Sequence, residues 1–195
     1  TFTVASDWVA ILAKGVKVKW DDTGAAAKKG VIISSSYNAG SGLTTVTLAT
    51  TPDFLLTAGA ITYPLYSPIE LPLLWPTLFS WTPTFTGFSA DPTNLVNRFR
   101  LVGSHCYIEI RAAAAGTSNL TTFTISLPIT AATITNMVWI GMARAQDNSV
   151  LLTTPAMARI TSAGTVIDMF KDFAPAAWTN GGTKNCVALQ MWYEN

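Results

Sequence analysis

The sequence predicts an all-β protein: a small N-terminal β-barrel-like module and a C-terminal antiparallel β-sandwich, joined by a proline-rich apolar neck. Three observations carry this. Four or five short apolar/polar runs lie before residue 70. Nine more follow from Trp81 at regular spacing, separated by Gly, Pro, Asn and Asp. Between the two groups, YSPIELPLLWPTLFSWTPTF holds Pro68, Pro72, Pro76 and Pro83, which neither a helix nor a central strand tolerates. The divisions expected are 1–66 for the module, 67–80 for the neck and 81–195 for the head.

In the module, Thr1 to Val4 alternates as a short strand, and Ser6 and Asp7 cap a helical turn around Trp8 to Leu12 that Gly15 ends. Val16, Val18 and Trp20 then point one way and Lys17 and Lys19 the other, the period of a half-buried strand with its lysines in water. Asp21 to Lys29 reads as a turn-rich connection. Val31, Ile33, Ser35 and Tyr37 share a face in the next strand, and Asn38 to Gly42 is a hairpin loop into Thr44 to Thr50, where Val46 and Leu48 face inward. Ile61 to Leu65 is the last strand, and the set predicts a curled sheet or barrel.

The neck is not a flexible linker, because large apolar residues fill the spaces between its prolines. Leu71, Leu74, Trp75, Leu78, Phe79 and Trp81 are expected to pack against the chain's own domains or against copies of the same segment. With Ile69 and Leu73 these make eight large side chains, and burying them at about 25 cal/mol per Å² stabilises an oligomer by many kcal/mol before entropy is subtracted.

The head strands are Trp81 to Gly87, Arg98 to Gly103, His105 to Ala113, Thr121 to Leu127, Met137 to Ala145, Val150 to Thr153, Met157 to Ser162, Thr165 to Lys171 and Lys184 to Tyr193. Alternation sends Cys106, Ile108 and Ile110 inward, with Phe123, Ile125 and Leu127, and with Val187, Leu189, Met191 and Tyr193. Two strands are apolar on both faces: Val138, Ile140 and Met142 oppose Trp139, Gly141 and Ala143, and Ile167 and Met169 oppose Phe170. A subunit interface would supply the second layer that such strands need.

Charged residues make up 12% of the chain and the formal net charge is +1, with no basic run, so no nucleic-acid partner is expected. No run of 18 apolar residues predicts a membrane span, and Thr1 to Ala13 lacks the basic start and small-residue cleavage site of a signal peptide. Cys106 and Cys186 read as two buried thiols rather than a disulfide. So few charges with 49% apolar residues favour a chain that hides apolar surface in an oligomer.

Two stretches carry a resemblance. TFTV, a Trp-containing turn, GVKVKW and KGVIISSSYNAGSGLTTVTL resemble a small β module that recurs in phage fibre and minor structural proteins. PLLWPTLFSWTPTFTGFS followed by RFRLVGSHCYIEIRAAAAGTSNLTTFTISLP resembles the start of the trimeric β-sandwich heads that end such fibres. The chain as a whole thus resembles a tailed-bacteriophage tail-fibre or receptor-binding protein. The resemblance implies a non-enzymatic homotrimer with a jelly-roll-like head in the virion, attached to other virion proteins and binding a host-surface glycan. A carbohydrate-binding module of a secreted enzyme and a capsid decoration protein are the alternatives.

The residues give no catalytic constellation. His105 and its neighbour Cys106 point to opposite faces of one strand, and no nucleophile-elbow pattern is present. Asp168 and Asp172 fall on one side of a strand and its exit but are not expected to form a catalytic pair. Neither Asp21 with Asp22 nor Asp147 with Asn148 has EF-hand spacing, so no metal and no cofactor is expected. The candidate ligand site is the loop FAPAAWTNGGT, where Trp178 would stack on a sugar ring while Asn180 and Asp172 hold its hydroxyls.

Overall fold

The structure, a computed structural model, describes residues 1–22, 25–49, 56, 59–69 and 75–195. It is all-β: its strands form two antiparallel sheets, and among the described residues there is no helix. The chain divides into two compact units, Thr1–Phe79 with Leu101–Ser104, and Ser80–Arg100 with His105–Asn195.

The first unit holds a five-stranded sheet of β1 (Phe2–Ala5), β2 (Lys17–Asp22), β3 (Ala25–Asn38), β4 (Leu43–Ala49) and β5 (Thr62–Ser67), in the order β1-β4-β3-β2-β5. It is curled, and Val18, Trp20, Ile32, Val46 and Leu48 form its core with Leu12 and Val16 from the preceding turn. That turn is the one the sequence predicts: the Ile11 and Leu12 amides donate to Trp8 O, and Asp7 Oδ1 accepts from the Val9 amide at 3.1 Å. The hairpin at Asn38 closes through Gly42 N–H to Asn38 O at 2.9 Å.

Three local expectations are corrected. Lys17 does not lie in water: it is buried and its Nζ donates to Gly15 O at 2.9 Å. The connection expected over Asp21 to Lys29 is mostly strand, because β3 already pairs at Ala25 with Asp22. A bulge between Ile32 and Ser34 shifts the face of β3, placing Ile32 in the core and leaving Tyr37 exposed.

The second sheet has twelve strands. They are β6 (Phe79–Ser80), β7 (Phe85–Thr86), β8 (Phe88–Ala90), β9 (Thr93–Val102), β10 (His105–Ala114), β11 (Gly116–Ser118), β12 (Thr124–Ser126), β13 (Val138–Asp147), β14 (Val150–Leu151), β15 (Ala156–Thr161), β16 (Val166–Phe170) and β17 (Thr183–Glu194). The main path runs β6-β9-β10-β17-β13-β15-β16-β12-β7. The expected strand of Trp81 to Gly87 is thus only the pair Phe85–Thr86, and β11 has no counterpart in the sequence reading.

Of the inward sets, Cys106, Ile108, Ile110, Phe123, Ile125, Leu189, Met191 and Tyr193 are buried, while Leu127 and Val187 are only half-buried, Val187 because a register shift in β17 takes it out of the alternation. The ladder does not break into two sheets but curls. In a flat sheet the four steps from β17 to β12 would span about 19 Å. Lys184 at the start of β17 instead donates to Thr122 O, beside β12, at 2.7 Å. The phenol of Tyr193, at the far end of the same strand, donates to Ile129 O at 2.7 Å. The core is therefore enclosed by one wrapped sheet.

Candidate functional site

Wrapping leaves the second sheet with an outward face, and its middle strands, β10, β17 and β13, carry the densest chemistry on it. β10 and β17 run in register, so Tyr107 stands opposite Trp192 and Glu109 opposite Gln190. Arg100 lies over both rings, 5.4 Å from Tyr107 and 5.1 Å from Trp192, and the two rings are 5.1 Å apart. Trp192 keeps 43% of its surface exposed. Beside this stack Arg98 Nη2 reaches both oxygens of Glu109 at 3.0 Å. One carboxylate is thereby committed to one arginine.

One residue beyond the Ile110–Leu189 pair come Arg111 on β10 and Ala188 on β17, and Ala188 pairs on its other side with Arg144 of β13. All three are exposed. The register slips here between Arg144 and Ala145, so Val187 is an extra residue in β17 and the strand bends beside Ala188. The result is an open groove whose floor is the short side chain of Ala188 and whose walls include Arg111, Arg144, Gln190 and Met142. Along β13 the outer row is aliphatic up to that point: Val138, Ile140 and Met142 are 43%, 56% and 66% exposed.

The loop predicted to hold a sugar does something else. Trp178 is a core residue, 2% exposed, its indole N–H donating to Met169 O at 2.6 Å and its ring edge-on to Phe123 at 5.2 Å. An indole enclosed in this way offers no face for a ring to stack on, so this part of the expected site is corrected. Asp172 spends Oδ1 on the amides of Ala174 and Ala176, at 2.9 and 3.1 Å, and shapes its own loop. Asn180 is exposed. Pattern alone cannot see that a loop Trp turns inward; the exposed indole is Trp192, which alternation does place opposite Tyr193.

Of the neck residues, Leu71 and Leu74 lie outside the described residues. Trp75 and Leu78 are half-buried, and Phe79 is buried with Trp75 edge-on at 6.4 Å. Trp81 packs edge-on against Phe99 at 6.2 Å and donates its N–H to Ser126 O at 3.3 Å, so it is used within its own chain. Just before them Leu65, Tyr66 and Ile69 are exposed. Phe170, expected to need a second layer, is covered by its own sheet: Arg159 lies 4.7 Å over its ring and pairs with Asp168 at 3.0 Å.

Beneath the face sits a buried cation. The Lys184 ammonium donates to Leu120 O at 2.8 Å and Thr122 O at 2.7 Å and lies 4.9 Å over the Phe88 ring. Burial pushes its pKa down to about 8, against the pull of Asp147. Asp147 itself accepts from Thr179 at 2.8 Å and pairs with Lys171 at 3.3 Å. Cys106 and Cys186 are buried free thiols, both pushed up to about 12 by burial. Among the described residues no group of three or more His, Cys, Asp or Glu could hold a metal ion. Comparison with protein-family models, with curated proteins and with solved structures finds no match to this chain.

Proposed function

We propose that this chain is a non-enzymatic structural protein of a bacteriophage particle, a tail fibre, spike or receptor-binding protein that assembles as a homotrimer and attaches to a glycan on the host surface. The observation that carries the reading is the aliphatic row Val138–Ile140–Met142, which stands open on the outside of a wrapped sheet. A polar row would suit solvent there, and a surface this poor in charge gains by covering such a row with a second copy. Leu65, Tyr66 and Ile69, exposed at the entry to the neck, support the same reading. Other virion proteins are the remaining partners it requires.

Attachment to a sugar is supported by the exposed indole of Trp192, beside Gln190 on the same strand and face, an aromatic group for the C–H side of a ring and an amide for its hydroxyls. The exposed Trp192 is also what a monomeric carbohydrate-binding module would use, and molar mass separates the two. Light scattering coupled to size exclusion on the full chain should give three times 20.8 kDa. A monomer at micromolar concentration would overturn the virion reading in favour of the module.

A further inference from the structure

The groove at Ala188 has a chemistry that a neutral sugar does not require. Arg111 and Arg144 flank the alanine from the two neighbouring strands, and neither makes a hydrogen bond or ion pair with another described residue. The nearest carboxylate in the groove, Glu109, is held by Arg98. Two guanidiniums thus line one open groove with their donors unspent, on a face where Arg98 and Arg100 already offset the carboxylates of Glu109 and Glu194. The planar fork of arginine fits an oxyanion through two parallel hydrogen bonds. The bulge at Val187 bends β17 beside this point, and the one-carbon side chain of Ala188 leaves room above the strand.

We propose that Arg111 and Arg144 bind an oxyanion, carboxylate or phosphate, carried by a cell-surface glycan. The outward residues of β17 then read as one track. Ala188, Gln190 and Trp192 span about 14 Å at strand rise, the length of two to three sugar units. The charged group lies in the arginine notch, hydroxyls meet Gln190, and a ring lies on Trp192. This inference rests on the glycan reading above and narrows it to acidic polymers. The aliphatic row of β13 ends at Met142, and Arg144 follows it, so the notch falls at the rim of the surface assigned to a second copy.

The test is calorimetric titration of the full chain with three oligomers of matched length: an oligogalacturonate, a polyglycerol phosphate and a neutral glucan. Binding of either charged oligomer is expected, weakening as salt rises and falling about tenfold or more in Arg111→Gln and in Arg144→Gln, the loss of a charge-assisted hydrogen bond. Which charged oligomer binds tighter assigns the carboxylate or the phosphate. Both substitutions are at exposed positions, and an unchanged melting temperature certifies the fold. Charged-oligomer binding that survives both substitutions overturns the inference. Equal binding of the neutral glucan, insensitive to salt and to the substitutions, overturns it while leaving the glycan reading in place; binding of none of the three removes both.

Discussion

The side chain of Lys184 donates at 2.7 Å to the main-chain carbonyl of Thr122, two residues before β12, a strand that stands four steps from β17 along the main path of the sheet. With the bond to Leu120 O and the Phe88 ring, it fastens the start of β17 to the segment that leads into β12. A buried ammonium clasping two carbonyls is thus part of what holds the sheet in its wrapped form.

That clasp predicts an unusual alkaline profile. The Lys184 pKa lies at about 8 in the folded chain against an ordinary 10.5, so between these values the unfolded chain binds more protons and stability rises with pH. The thiols act in the opposite sense. They ionise near 9.0 when unfolded and only near 12 when folded, so from 9 upward the folded chain binds more protons and stability falls. Urea denaturation at a series of pH values should show stability climbing from pH 8 to a maximum near 9 and then declining. Lys184→Met should abolish the climb and keep the decline.

Lys184→Ala removes the stem as well as the charge and leaves the carbonyls of Leu120 and Thr122 without their donor. A loss of about 3 kcal/mol or more in urea-derived stability is expected from the cavity and the two orphaned acceptors. A loss under about 0.5 kcal/mol, the range of ordinary surface changes, would show that the clasp does not hold the wrap.

Trp178→Ala should behave as a core truncation, costing about 3–5 kcal/mol and lowering the melting temperature. Trp192→Ala, at the exposed indole, should leave the melting temperature within a few degrees of the parent while weakening glycan binding. The reverse pattern, a tolerant Trp178 and an unstable Trp192, would contradict the placement of both rings.

Ile140→Lys and Met142→Lys put charges into the exposed aliphatic row without touching the core. Light scattering should then report a smaller assembly than the parent, with unchanged far-ultraviolet circular dichroism. An assembly of unchanged mass would place the self-contact elsewhere, at Leu65, Tyr66 and Ile69, where the same substitution is the next to make.

Neither Cys106 nor Cys186 should react with a thiol reagent at pH 8 in the folded chain, because both are buried and neutral there. Two equivalents should react in denaturant. Rapid labelling under native conditions would show that the sheet opens locally at β10 or β17.

The sequence by itself determined the all-β class, the turn at Trp8, the hairpin at Asn38 and the inward faces of β10, β12 and the end of β17. Each rests on an interaction within a few residues or on the two-residue period of a strand, and both are written in local order. The period also set Val138, Ile140 and Met142 on a face of their own. It failed where a neighbour intervenes: at the bulge after Ile32, at Lys17 with its own turn carbonyl, and at Trp178, which turns inward to Met169. Only the tertiary structure decided that the second sheet is continuous and wrapped, that Arg159 shields Phe170, and that Arg111 and Arg144 share the alanine between them. Those facts depend on which strands pair and in what register, and pairing is fixed by hydrogen bonds between residues tens of positions apart.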